Sequence, residues 1–304
     1  MQQEAASRGA YLRTVIRASR PSFLLLTPLC VMLGAGTAVA AGEDLDSWRL
    51  VLILVGALMA HAAVNLFNEY DDFRSGLDLQ TRRTPFSGGS GALPAQPAAA
   101  SSVRIAAWAS LVIVVGIGLL LVVAAGPGLL ALGLPGLVLI LAYSGWITRS
   151  PLPCLVAPGL GVALIVPGTH YALVGSFAIE AFLAALIPLF LGSALLLLNQ
   201  FPDVEADRQA QRRHLPIVLG RRRAADIFGL LVAASYVSLA LSVLAGRLPI
   251  GAAAGLLSLP VGLLVASRVR RHATNAAALV PWMGGNVATL LVTLALVGTG
   301  LLLA

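Results

Sequence analysis

The sequence predicts an all-α, polytopic membrane protein of nine transmembrane helices with its N-terminus in the cytoplasm, and three observations lead there. Of 304 residues, 58% are hydrophobic and only 11% are charged, against about 25% in a soluble domain. The mean hydropathy of +0.90 leaves too little polar surface to cover a globule, so most of the surface must face lipid. The 20 cationic residues are all Arg and gather between apolar runs. That is a pattern of membrane topology, not the basic face of a nucleic-acid-binding protein. The two cysteines, Cys30 and Cys154, lie in separate apolar runs; they exclude a disulfide scaffold and imply no redox role.

Each helix that crosses the hydrocarbon needs about 20 apolar residues. In order, the runs at 21–41, 50–70, 104–124, 128–148, 154–175, 182–201, 224–245, 249–266 and 276–303 qualify. Pro158 and Pro167 predict a kink or break in the fifth, tolerated in a membrane when neighbours satisfy the freed carbonyls. Little chain is left for a soluble domain, so residues 1–304 read as a single membrane-embedded domain. The loops fix the direction. Arg8, Arg13, Arg17 and Arg20 precede the first run, and Arg74, Arg82, Arg83 and Arg104 follow the second. Arg149 follows the fourth, Arg208, Arg212, Arg213 and Arg221 to Arg223 the sixth, and Arg268, Arg270 and Arg271 the eighth. Only Arg49 and Arg247 fall on the other side, which places the N-terminus inside and the C-terminus outside a plasma (inner) membrane. Arg20, the run from Phe23 and Ala38-Val39-Ala40 also fit a cleavable signal peptide, but the run is long enough to span.

Seven of the 13 acidic residues crowd into two cytoplasmic stretches: Glu69, Asp71, Asp72 and Asp78 after the second run, Asp203, Glu205 and Asp207 after the sixth. Asn68 and Asp72 are four apart, as are Asn199, Asp203 and Asp207, so on a helix each set shares a face with side chains about 5–6 Å apart. Hard oxygen ligands that leave room for water and substrate phosphates suit Mg2+, and no thiol or histidine cluster offers a softer site. His61, Asn65, Asn68 and Asp72 project within about 60° of one another around a helix. Such a polar stripe faces a bundle interior or a wet cavity; for His61 and Asn65, interhelical packing is an equal reading. His170 and Tyr171, near the outer end of the fifth run, read as an interface belt, and Glu180 as a solvated outer residue.

The two acidic stretches resemble each other. A shift of 131 positions superposes Leu66 on Leu197, Asn68 on Asn199, Asp72 on Asp203, Gln80 on Gln211, Arg82 on Arg213, Pro85 on Pro216 and Gly89 on Gly220. This reads as an internal repeat that delivers two facing half-sites. Arg stays charged and forks onto two oxygens, which a diphosphate needs beside its metal. Arg82 and Arg213 are the first candidates for that role, with Arg74 and Arg212 beside them, and Arg221 to Arg223 read as lipid headgroup contacts. Gly88-Gly89-Ser90-Gly91 either presents backbone N–H groups to an anion or is only a flexible loop.

With these residues in view, the chain resembles the UbiA superfamily of intramembrane prenyltransferases, nine-helix bundles with two Asp-rich motifs. NEYDDFRSGLD (Asn68 to Asp78) resembles the first motif and DVEAD (Asp203 to Asp207) the second. RTPFSGGSGALP (Arg83 to Pro94) looks closest to the branch that includes 1,4-dihydroxy-2-naphthoate prenyltransferases of menaquinone synthesis. The resemblance implies Mg2+-dependent transfer of a polyprenyl group from its diphosphate to an aromatic acceptor at the cytoplasmic face. Asp72, Asp78, Asp203 and Asp207 would ligate the metal, oriented by Asn68 and Asn199, and Tyr143 would face the cation or the acceptor. As an alternative, Tyr143 is an ordinary interfacial anchor. The chain departs from the family pattern where a Lys usually follows the second motif; Arg212 or Arg213 stands there. Ser144-Gly145-Trp146-Ile147-Thr148 also separates Tyr143 from the next basic residue, Arg149, where many members carry one sooner. Other reactions of this superfamily, among them terpene cyclisation and prenylation of 4-hydroxybenzoate, a chlorophyll or haem type acceptor or a phosphosugar, stay open, as does transport of a phosphorylated lipid.

Overall fold

Backbone polar groups that face hydrocarbon must be satisfied within their own segment, so each apolar run closes into a helix. The computed structural model describes residues 2–81 and 83–304, with side chains omitted for residues 2–8 and Gln80. Among these residues every regular element is helical. The main ones are α1 (Gln2–Ala18), α2 (Leu26–Ala40), α3 (Ser47–Arg74), α4 (Ala100–Ala125), α5 (Leu130–Ala142), α6 (Pro151–Ala163), α7 (Ile165–Val174), α8 (Ile179–Gln209), α9 (Arg221–Leu244), α10 (Leu259–His272) and α11 (Ala276–Leu302).

Among the described residues, eight helical segments are long and apolar enough to cross a membrane. The run expected to cross at 128–148 is shorter: its helix, with a leading 3₁₀ turn, covers Pro127–Ala142, and the chain then turns through Tyr143 to Ser150. The kinked fifth span is two helices, α6 and α7, that meet at Leu164. Pro167, three residues on, has no N–H to return to Ala163, and the helix breaks there. The second span runs past residue 70 to Arg74, so Asn68 and Asp72 stand on α3 itself. Asp46 caps that helix, its carboxylate accepting from the N–H of Trp48 at 3.0 Å and of Arg49 at 3.2 Å.

α8 is the central helix, packed by α2, α6, α9 and α11. Close crossings rest on small residues, as is usual where lipid supplies no hydrophobic drive between helices. A Cβ on Gly159 of α6 would fall 2.0 Å from the Leu189 carbonyl of α8. Val112, Leu119, Leu120 and Val123 of α4 are exposed and form part of the lipid-facing surface.

His170 and Tyr171 are buried and do not form the expected interface belt. His170 Nδ1 lies 3.0 Å from Thr37 Oγ1, and the Tyr171 ring packs 4.6 Å from Phe177. These tertiary partners, which depth in the membrane does not reveal, draw both side chains inward. Glu180 is half-buried and pairs with Arg247 at 3.4 Å.

Candidate active site

The C-terminal turns of α3 and α8 both border one cavity of about 610 Å³ and deliver the two Asn/Asp sets to it, within the range of ligand pockets. Asn68, Asp72, Asp78, Asn199, Asp203, Asp207, Tyr143 and Arg212 all line it. From Asp72 the lining climbs α3 past Asn65 and His61 to Ile53, about 28 Å along the axis. Its remote walls are apolar, with Leu121, Leu129, Leu132 and Ile140 from α4, α5 and the turn between them. The cavity therefore has a charged mouth and a long apolar barrel.

Arg212 joins the two halves. Its guanidinium donates to Asp72 Oδ1 and, at 3.2 Å, to Asp207 Oδ1. Burial opposes its charge, but Asp72 and then Asp207 outweigh that and hold its pKa above the ordinary value. Asn68 donates to the second oxygen of Asp72. The second oxygen of Asp207 is 2.9 Å from His214 Nε2. Asp203 accepts from the Gly88 N–H at 3.1 Å and from Ser87 Oγ at 3.4 Å, so the Gly-rich loop crosses the mouth and holds an aspartate of the other half. Gly89 is needed there: at φ +74 a Cβ would fall 2.5 Å from Asp78 Oδ1. Burial first, then the Glu69 and Asp72 carboxylates, push Asp78 up to about 7.

The other arginines separate by position. Arg74 and Arg213 are exposed and outside the cavity lining. Arg208 is exposed and paired with Glu205, and Arg83 lies against Gly91. Arg82 lies outside the described residues. Of the residues that sequence reasoning did not assign to the site, Arg20 enters from the chain before α2, and His214 and Ser87 bind the aspartates. Gly88, from the run read either as backbone donors to an anion or as a flexible loop, gives its N–H to the Asp203 carboxylate. No spacing signal marks Arg20, whose partner Glu69 is 49 residues away. For the stripe on α3, Asn65 donates to the Ser19 carbonyl at 2.9 Å and His61 pairs with Thr27 at 2.8 Å, and both also line the cavity.

The donor set suits a divalent cation shared with phosphates. Asp78 Oδ2 and Asn199 Oδ1 are buried acceptors without a partner among the described residues, an arrangement that asks for a cation or water. No three carboxylate, histidine or thiol groups converge as a ready-made cage among those residues. Mg2+ does not need one, since it is commonly held by one or two carboxylates together with substrate phosphates.

Comparison with known proteins carries the same reading further. The chain is 25% identical over 242 residues to the 1,4-dihydroxy-2-naphthoate octaprenyltransferase of Bacillus subtilis (strain 168), covering 77% of this chain and 75% of that protein. It is 28% identical over 281 residues to UbiA prenyltransferase domain-containing protein 1 of Xenopus tropicalis, covering 90% and 78%. Among solved structures, a UbiA homolog from Archaeoglobus fulgidus bound to DMAPP and Mg2+ superposes with a TM-score of 0.57 at 14% identity, over 93% of this chain and 99% of that one. The model of the UbiA prenyltransferase family matches residues 28–290. A match over most of the chain, on a helical bundle whose paired Asn/Asp sets share one cavity, leaves a single assignment: the chain belongs to the UbiA prenyltransferase family and is a prenyltransferase.

Proposed function

We propose that this prenyltransferase moves a polyprenyl group from its diphosphate to an aromatic acceptor in a Mg2+-dependent reaction, with 1,4-dihydroxy-2-naphthoate the acceptor to test first. The observation that carries the reading is the cavity itself, acidic and Arg-bearing at one end and, past His61 and Asn65, walled mainly by apolar side chains. An allylic diphosphate has that same division. A relative named as a 1,4-dihydroxy-2-naphthoate octaprenyltransferase and a fold neighbour bound to DMAPP and Mg2+ support it. The Arg distribution supports a cytoplasmic N-terminus and a mouth open to the cytoplasm of the plasma membrane. Pro127–Ala142 would then serve as the ninth crossing beside the eight long ones.

Asp72, Asp78, Asp203 and Asp207 would hold Mg2+, and Asn68 and Asn199 would orient them. When bound, the metal supplies positive charge to the leaving diphosphate. Arg212 contributes a permanent charge fixed between Asp72 and Asp207, and a preorganised charge stabilises the transition state without reorganisation. The bond between C1 and the diphosphate oxygen breaks with its electron pair on oxygen, and the acceptor ring carbon takes the allylic cation and then loses a proton. Tyr143 lines the mouth, where its ring face can stabilise that cation. The apolar barrel holds the tail and excludes water from it.

The test is incubation of purified protein in detergent with Mg2+, a labelled polyprenyl diphosphate and a panel of aromatic acceptors, with Asp203→Asn as control. Diphosphate release with a prenylated adduct supports the reading and names the acceptor. Release without adduct from every acceptor points to cyclisation, and no release from folded protein refutes the transfer and points to transport.

A further inference from the structure

Glu69 takes no part in the chemistry above, yet it is a fully buried carboxylate within a few residues of it. Its side chain is 0% exposed, and a buried charge is costly unless it is paired and hydrogen-bonded. Three donors meet it. Arg20 Nη2 donates to Oε2 at 3.1 Å, the Ser90 N–H donates to the same oxygen at 3.0 Å, and Ser90 Oγ donates to Oε1. Two of the three come from the Gly-rich loop, and Glu69 stands one residue after Asn68 and three before Asp72 on the same helix. Ser90 Oγ in turn accepts from the Ala92 N–H at 3.0 Å, fixing the loop's exit.

The same loop reaches across the mouth in the other direction. Two residues before Ser90, Gly88 donates its N–H to Asp203, and Ser87 donates its hydroxyl to the other oxygen. Between these two anchors Gly89 runs past Asp78 with no room for a side chain between them. The loop is thus tied at one end to α3 and at the other to α8, and the α3 tie is Glu69.

We propose that Glu69 is a positioning residue for the transferase reaction: by clamping Ser90 it sets the loop that holds Asp203 and bounds Asp78. Arg20, two residues past the end of α1, offsets its charge. This rests on the transferase reading for its consequence in turnover, but the clamp itself has a readout of its own.

The experiment compares Glu69→Gln and Ser90→Ala with the wild type, in detergent, by hydrogen exchange of the peptides covering 84–91 and by Mg2+ titration of diphosphate release. Glu69→Gln keeps the shape but loses the charge that serves three donors; Ser90→Ala removes the hydroxyl's bond to Glu69 and the one it accepts from Ala92, keeps the Ser90 N–H on Glu69, and does not touch α3. A hydrogen bond to a charged group governs opening by about tenfold or more. Exchange of 84–91 is therefore expected to rise at least that much in Glu69→Gln and less in Ser90→Ala, with the middle of α3 unchanged. The Mg2+ needed for half-maximal release rises in the same order, as a loop that only supported folding would not require. Unchanged loop exchange in both variants overturns the clamp, whatever turnover does. Faster exchange with an unaltered Mg2+ midpoint overturns the positioning role. If Glu69→Gln does not fold, Ser90→Ala decides alone on the same two readouts. If wild-type protein releases no diphosphate, the transfer reading has failed while the exchange result still judges the clamp.

Discussion

Replacing Arg212 and, in parallel, Arg213 separates a residue of the mouth from its neighbour in sequence. The Arg212 side chain is 18% exposed and reaches Asp72 and Asp207 with two different nitrogens. Lys keeps the charge but is a point donor that cannot span both carboxylates. Arg212→Lys therefore loses one charge-assisted hydrogen bond, about 1.5–3 kcal/mol, which is about 10- to 150-fold in kcat/KM when the contact acts in the transition state. Arg212→Met removes the charge and leaves Asp72 and Asp207 facing each other. Breaking a buried pair costs about 3–5 kcal/mol, and the cost here falls at the lower end because Asp207 keeps its contact with His214. Thermal unfolding in EDTA should show that loss, and added Mg2+ should raise Tm more in Arg212→Met than in the wild type, since the ion restores the missing charge. Arg213→Met alters only an exposed side chain, so stability should change by no more than about 0.5 kcal/mol and turnover should stay near the wild-type value. Release assays with saturating acceptor and melts with and without Mg2+ supply all the numbers. If Arg213→Met is as damaging as Arg212→Met, or Arg212→Lys turns over like the wild type, the placement of charge argued here is wrong.

Asp72→Asn and Asp203→Asn should each abolish transfer while the melting curve in detergent stays cooperative; normal turnover would remove them from the mechanism. EDTA should stop diphosphate release and Mg2+ should restore it, and metal-independent release would defeat the bridging role. Gly89→Ala should lower turnover at least about tenfold, because a non-glycine residue at φ +74 costs about 1–2 kcal/mol and its Cβ would displace Asp78; kcat beside an unaltered substrate KM is the check. Gly136 lines the cavity with open space where its Cβ would be, so Gly136→Phe should exclude long donors while DMAPP is still consumed. Equal loss for short and long donors would show that the barrel does not hold the tail.

The candidate site of this chain was legible because polar groups in a membrane helix are expensive and stand out. Asn68, Asp72, Asn199 and Asp203 break otherwise apolar helices at helical spacing, and all four line one cavity. Positions beyond the helix ends were not legible in the same way. The repeat aligns Arg213 with Arg82 and so favours it over Arg212. But α8 ends at Gln209, and Gln211 turns the chain through φ 60, which sends Arg212 inward and Arg213 to the surface. Helical periodicity says nothing about such a turn. Arg20 was hidden for a different reason: it sits among arginines that set topology, and only the fold reveals Glu69 as its partner. The fourth span looked complete because Tyr143 to Thr148 contains enough apolar residues, yet the helix stops at Ala142 and the chain turns back toward the mouth. That turn is what places Tyr143 in the cavity.

The balance of charge at the mouth explains why acidic residues can serve an anionic substrate at all. Asp72, Asp78, Asp203 and Asp207 line it, and of the two guanidiniums there among the described residues, Arg20 is already paired with Glu69. Among the described residues Arg212 alone is left to face four carboxylates, so a diphosphate approaching the bare mouth meets an excess of like charge from these residues in a region where low dielectric makes repulsion strong. Protonation relieves part of it, as the raised Asp78 shows, but a protonated carboxyl cannot bind a phosphate through a shared ion. Divalent cations relieve it and at the same time supply the attraction. Affinity for the diphosphate end should therefore depend steeply on Mg2+, whereas the contribution of the tail, buried against Leu121, Leu129 and Leu132, grows with apolar area and is indifferent to the metal. A donor series of increasing chain length, measured at two Mg2+ concentrations, would then give parallel lines offset by the ion, because head and tail are bound by separate physical forces at opposite ends of one cavity.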